Sequence, residues 1–587
     1  MDERRQQVEA ARGARPLDLL VTNVRLVNVY TGEIYPAEIG ISLGRFVSVD
    51  PPGGLVRQAE ARLDGQGRYA LPGLVDSHMH IESSMMSPAG FAAAVLPHGT
   101  TTVVIDPHEI GNVLGLRGVR YMLEATAALP LRVYLQAPSS VPAVPGLETA
   151  GAEFGPDEIT EMLGWERVIG LAEVMDYVGV IGQSERMRGI LAAARARGAV
   201  ISGHCPEVRG ADLAAYLVGG PLSDHEGRNP DELLEKLRAG MTIEGRVSSF
   251  SESMSVLGDI VRQLGQVPPN LVLCTDDIYP DDLLHKGHMD EVLRAGIRAG
   301  IAPVEAVRAG TLNGALRHRL YDLGAIAPGR LADFVLADDL QDFQAGEVFV
   351  GGVQVASGGK LSVNLPPFDS ALEHENTVHL GRTLTGQDFR LRAAGPGPLE
   401  RRRVLMIAPD LRRSLEERLF PVKGGWIDLS EAPDVCLAAI IERHGRGGSH
   451  ALALVGGLGL QHGAAATTVA HDSHNLVVLG RDAEDMALAA AQLAGCGGGI
   501  CSVSGGQVQA LLPLPIAGLM SPDRLEVVAP LLERRNAALR AQGFTFAQPL
   551  TGLLSLALPV IPAYGMTDLG LVDIARQVLL ADPPEEV

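Results

Sequence analysis

The sequence predicts an α/β protein. Its expected core is a (β/α)8 TIM-like barrel, with a small β-sandwich built from segments on both sides of the barrel and a C-terminal α+β domain. Three observations carry this prediction. Between about residues 74 and 300, eight apolar runs of strand length alternate with eight helix-length amphipathic stretches. Near-continuous apolar strands between amphipathic helices imply a parallel sheet covered on both faces, and eight such units make a barrel the natural arrangement. β-rich segments of similar texture flank this region, and a separate Gly-rich mixture of strands and helices follows them. The expected division is residues 1–70 and 326–385 for the two parts of the sandwich, 71–325 for the barrel and 386–587 for the C-terminal domain. A doubly wound open sheet is the competing topology, but the chain has no G-x-G-x-x-G to support it.

The elements follow in order. The start, MDERRQQVEAARGARPLD, is polar and expected to be frayed, and its lack of an apolar segment argues against a secretory signal. Residues 18–50 alternate β-branched and polar side chains, with turn signals at Thr31-Gly32 and Leu43-Gly44, which reads as short antiparallel strands. The same texture returns at residues 330–360 and suggests one shared sandwich, with two independent meanders as the alternative. Barrel units run from GLVDSHMHI with SPAGFAAAVLPHG to LVLCTDD with MDEVLRAGIRAG. After the linker RAAGPGPLE, the runs LALVGGLGL, NLVVLG and GGICSVSGGQVQALLPLP read as strands. DMALAAAQLA and PDRLEVVAPLLERRNAALRAQ read as helices.

Composition narrows the function. The net charge of −21 gives nucleic acid and anionic membranes no electrostatic reason to approach. No apolar run reaches the roughly 18 residues a membrane helix needs. The five cysteines include no C-x-x-C pair, as suits a reducing cytosol. The expectation is a cytoplasmic protein acting on a small molecule.

Chemistry in such barrels sits at the carboxyl ends of the strands. The first expected strand ends in His78 and His80, whose i, i+2 spacing puts both imidazoles on one face. The fourth ends in Glu173, the fifth in His204, the sixth in His225 and the eighth in Asp276 and Asp277. Burying that much polarity at one rim requires partners. Imidazoles and carboxylates suit Mn, Fe, Zn or Co. The small zinc deaminases are excluded: His80-Ile81-Glu82 matches their H-x-E, but no P-C-x-x-C follows.

Histidines after the first, fifth and sixth strands, with Asp after the eighth, resemble the amidohydrolase superfamily. Within it, DSHMHIESSMM, VVIDPHEI, GHCPE, SDHE and CTDD, with the later AHDSHN and LPLPIAGLMS, are similar to the bacterial adenine deaminase family, over about residues 19–573. The segment LTGLLSLALPVIP is less aromatic than the resemblance leads one to expect. The resemblance implies hydrolysis of adenine to hypoxanthine and ammonia, in purine salvage, by a homo-oligomer. It also implies two divalent ions, with Mn2+ favoured and Fe2+ or Zn2+ as alternatives. His78, His80 and Asp276 are expected on one ion and His204 and His225 on the other. Glu173 stands between them, where many amidohydrolases carry a carboxylated lysine; a single ion with Glu173 hydrogen-bonded is the alternative.

Asp276 is the expected proton shuttle, and Glu207 either a second acid or a group that orients His204. Substrate contacts are expected from Glu82, Asp277, His471 and His474, with His108 and Glu109 near them and His285 and His288 at the mouth. His471, Asp472, His474 and Asn475 either form a buried polar turn or cover the mouth. Two other functions compete: a cyclic-amide or N-acyl amidohydrolase on the same scaffold, and a non-catalytic purine-binding relative.

Overall fold

The computed structural model describes residues 2–55, 57–560 and 563–584. Its core is a set of parallel strands: β1 (Leu74–Met79), β2 (Thr100–Ile105), β3 (Arg132–Ala137), β4 (Val168–Val174), β5 (Val200–Gly203), β6 (Ser223–Asp224), β7 (Thr242–Arg246) and β8 (Leu271–Cys274). They form two ladders, β1 to β5 in sequence order and β6 to β8. Every residue of β1, β2, β5 and β8 is buried, as expected of strands covered on both faces.

The ladders meet at two seams. Between β5 and β6, the Leu222 N–H donates to the Ile201 carbonyl at 3.2 Å. Between β8 and β1, the Asp276 N–H donates to the His78 carbonyl (3.0 Å) and the His80 N–H to the Asp276 carbonyl (3.3 Å). The residues carrying the candidate ligands therefore make the second seam themselves. Asp276 holds φ at 61°, a left-handed conformation uncommon for a non-glycine residue, and these two bonds hold it there.

Both flanks of the parallel core enter one nine-stranded sheet. Its join is the antiparallel pairing of Tyr69–Pro72 with Phe334–Ala337, so the two flanks are not independent meanders. Phe334 stacks on Phe349 at 4.3 Å between centroids and meets Phe46 at 6.0 Å. The polar start departs from expectation, because Glu3–Ala11 is a helix rather than a frayed end. Its ends are satisfied: the Asp2 carboxylate accepts the Arg4 N–H, and the Arg57 guanidinium donates to the Ala10 and Ala11 carbonyls.

The C-terminal region is built on a second nine-stranded sheet, from Leu399–Ile407 to Gln507–Pro513. Helices Ala483–Gly495 and Leu525–Ala541 pack on it, and a three-stranded sheet closes the chain. Leu553, Leu556 and Ala557 of the aromatic-poor segment lie in its apolar core; residues 561–562 of that segment fall outside the described residues. This region is fastened to the loops of the parallel core. Ser521 exchanges backbone bonds with Met85 and Ser87 at 2.8 Å each, and the Asn475 amide donates to the Thr149 carbonyl at 2.8 Å. Among the described residues no helix is long and apolar enough to cross a membrane.

Candidate metal centre and active site

The carboxyl ends of the strands converge on Glu173, at the end of β4 and 3% exposed. Its two oxygens face different partners. Oε1 lies 3.4 Å from His80 Nε2 and 3.7 Å from His78 Nε2. Oε2 lies 2.7 Å from His204 Nδ1 and 3.3 Å from His225 Nε2. On the far side of the first pair, Asp276 Oδ1 stands 3.4 Å from His78 Nε2 and 3.3 Å from His80 Nε2.

Neighbouring groups set the orientation of the rings. His80 Nδ1 bonds the Asp106 carbonyl at 2.8 Å, which puts the proton on Nδ1 and the Nε2 lone pair towards the centre. His225 Nδ1 faces the buried Glu244 at 3.5 Å, and its ring stacks on His78 at 4.3 Å. The second carboxylate oxygen of Asp276 pairs with Arg246, whose same nitrogen also pairs with Glu226.

This donor set fits divalent cations. Both ring nitrogens of His78 and the Nε2 of His204 are buried without a hydrogen-bond partner. Unpaired buried polar atoms are costly, and a cation ligated by them removes the cost. His78, His80 and Asp276 present donor atoms within 4.8 Å of one another, as do His78, Glu173 and His225. The charge balance agrees. Burial pushes the Glu173 carboxyl up, but the His204, His225 and His80 imidazoles hold it well below the usual carboxylate range. Burial likewise opposes ionisation of Asp276, and Arg246 followed by His225 more than offsets it.

A small cavity opens over this centre. Parallel-core residues His80, Glu226, Arg246, Phe250 and Asp277 line it, and the C-terminal region contributes His471, Asp472, Leu411 and Leu558. Asp277, His471 and Asp472 line the cavity, whereas His474 and Asn475 of the same segment do not.

Other expected residues do not reach it. Glu207 is exposed and absent from the lining: with φ at 61° the chain turns outward there, seating the Glu207 N–H on Glu232 at 2.9 Å. It does not contact His204, whose Nδ1 is taken by Glu173. Glu82 is buried below the lining and accepts the Ile110 N–H; burial first and Glu109 second push its carboxyl up. His474 is fully buried and accepts the Ala470 N–H at 3.1 Å. His285 is exposed beside Glu533, and His288 packs under Phe91.

Two groups stand closer to the centre than their sequence positions suggested: His108, expected only near the substrate contacts, and Arg246, which the sequence did not single out. His108 stands 3.1 Å from Asp106 Oδ2, 3.7 Å from Glu173 Oε1 and 3.5 Å from Asp472 Oδ1, bridging the centre to the C-terminal region. Arg246, at the end of β7, is the cation between Asp276 and Glu226. The strand-end rule that singled out the other residues applies equally to both.

Comparisons with known proteins agree with this architecture. Residues 69–355 match the model of the amidohydrolase family, and residues 411–578 match that of the adenine deaminase C-terminal domain. "Adenine deaminase 3" of Rhizobium meliloti (strain 1021) is 41% identical over 575 residues, covering 97% of this chain and 96% of its own. "Adenine deaminase 2" of the same organism is 43% identical over 590 residues, covering 99% and 97%. The adenine deaminase of Moorella thermoacetica is 40% identical over 574 residues, covering 97% and 96%. With likeness of this extent across both regions, the chain belongs to the adenine deaminase family of amidohydrolases.

Proposed function

We propose that this protein hydrolyses adenine to hypoxanthine and ammonia, and that two divalent cations sit on either side of Glu173. The observation that carries the reading is the division of that carboxylate, with one oxygen turned to the His78/His80 pair and the other to the His204/His225 pair. His78, His80 and Asp276 would hold one cation, and His204 and His225 the other. Imidazole and carboxylate donors without a thiolate suit Mn2+, our favoured ion, with Fe2+ and Zn2+ as alternatives.

When bound, such a cation lowers the pKa of water to about 7 and so supplies hydroxide at neutral pH. The chain's own groups do the rest. Asp276 accepts the water's proton at Oδ1 and delivers it to the 6-amino nitrogen. A C–O bond forms at C6, the C–N bond breaks and ammonia leaves. Arg246 holds the other Asp276 oxygen, keeping the carboxylate ionised and aimed at the histidines. Asp277, raised above the usual carboxylate range by burial and then by Asp276, is our candidate for the ring-nitrogen contact in place of Glu207. His471 and Asp472 close the cavity from the C-terminal side and limit water entry.

The cyclic-amide and N-acyl readings lack the support of the C-terminal likeness, which extends over 411–578. We further propose that the protein is a homo-oligomer and that it is cytoplasmic, the latter in keeping with five free cysteines. The test is ammonia release from adenine, adenosine and guanine after reconstitution with Mn2+, Fe2+ or Zn2+, with metals counted per chain. The expected outcome is turnover of free adenine at two ions per chain. No turnover of any aminopurine by fully loaded protein overturns the reading.

A further inference from the structure

The Glu173, His204 and His225 half of the centre is held from behind by two buried side chains on the helices that follow β5 and β6. Tyr216, on the helix Gly210–Gly219, is fully buried. Its hydroxyl donates to the Val174 carbonyl at 2.7 Å and accepts the His204 N–H at 3.0 Å. It thus ties the residue after Glu173 to His204 itself. Lys236, on the helix Pro230–Arg238, is also fully buried. Its ammonium donates to the Cys205 carbonyl (2.7 Å), Asp224 Oδ2 (2.9 Å) and Glu232 Oε1 (2.5 Å), which uses all three of its hydrogens. Asp224 in turn accepts the Cys205 N–H at 2.8 Å. The residue after His204 and the residue before His225 are therefore clamped to one buried cation.

A buried lysine with two carboxylates is an expensive way to join two loops, because desolvation offsets much of the attraction. An apolar contact would serve packing alone. What the ion cluster and the tyrosine add is direction, since every bond except that from Lys236 to Glu232 ends on a candidate ligand or a residue next to one. His78 and His80, by contrast, are oriented by β1, Asp106 and the β8 seam, and touch neither residue.

We propose that Tyr216 and Lys236 are positioning residues for the second cation site, the one formed by Glu173, His204 and His225, and that they act on it selectively. The inference rests on the two-ion reading above. Groups that orient ligands from outside typically contribute about 10- to 100-fold in metal affinity. Loss of either residue should therefore weaken one of two ions by that factor and leave the other in place.

The experiment uses full-length protein equilibrated with controlled free Mn2+. Metals per chain are counted, and the electron paramagnetic resonance spectrum separates a spin-coupled pair from an isolated ion. Wild type is expected to hold two coupled ions. Y216F and K236M are expected to retain one at Mn2+ levels that saturate wild type, with the isolated-ion spectrum, and K236R to recover part of the second. Y216F removes a single oxygen, so it carries the test if K236M does not fold. Folded Y216F with two coupled ions at wild-type affinity overturns the proposal. A wild type holding a single ion overturns it too, and is distinguished because it is read on the unaltered protein and refutes the two-ion reading first.

Discussion

Arg246 offers the sharpest perturbation, because one of its nitrogens pairs with both Asp276 and Glu226 while the three side chains are 4%, 5% and 14% exposed. R246M removes the cation and leaves the buried Asp276 carboxylate facing the half-buried Glu226 carboxylate. Two hydrogen bonds of ordinary length on one nitrogen put the oxygens roughly 4.5 Å apart. At an effective dielectric of about 20, two unit charges at that separation repel by about 4 kcal/mol. This agrees with the roughly 3–5 kcal/mol lost when one partner of a buried pair is removed. In wild type the Asp276 carboxyl is held low, so its contribution to stability is present above its unfolded value of about 3.9 and is lost as pH falls. Without Arg246 that loss begins at a higher pH. Since Asp276 must be ionised to accept a proton, the acid limb of kcat against pH should move upward as well. The assay is the pH profile of ammonia release at saturating adenine, with thermal melting at matched metal content. R246M/E226Q should recover much of the lost stability, because the repulsion goes with the second charge. An unmoved acid limb, or a double variant no better than R246M, refutes the reasoning.

Other expectations follow from the same geometry. D276N should keep its fold and lower kcat by about 10²- to 10⁴-fold, the range for loss of a proton-transfer group; a kcat near wild type at full metal content removes Asp276 from the shuttle role. E173Q should lower metals per chain from two towards one, measured after dialysis, and normal content would rule out the bridge. H471A, altering a residue that lines the cavity, should raise KM with a smaller change in kcat; H474A, altering a fully buried residue off the cavity, should chiefly lower the melting temperature. Chelation should lower the melting temperature, because it leaves the buried nitrogens of His78 and His204 unpaired again, and adding Mn2+ back should restore it.

Much of the protein was legible from local pattern. The alternation of apolar strands with amphipathic helices follows from backbone periodicity and burial, so the parallel core could be read without knowing any contact. The candidate ligands were legible because each lies at or just past the end of a strand, and strand ends in this architecture share one rim. His78, His80, Glu173, His204, His225 and Asp276 therefore met as expected, and the longer motifs around them carried the family.

What the tertiary structure alone decided depends on where the chain turns after a strand and on what docks against it. GHCPE contains an acid three residues beyond the candidate ligand His204, yet the left-handed turn at Glu207 points it to solvent. In AHDSHN, two histidines three residues apart part company: His471 faces the cavity, and His474 is bonded back into its own loop. That His108 meets Asp472 across more than three hundred residues is decided by the docking of the C-terminal region on the loops of the parallel core, which no local periodicity encodes. The pairing of Arg246 with Asp276 is of the same kind. A strand pattern fixes which side chains reach the rim, but the partner each charge finds there is a property of the assembled fold.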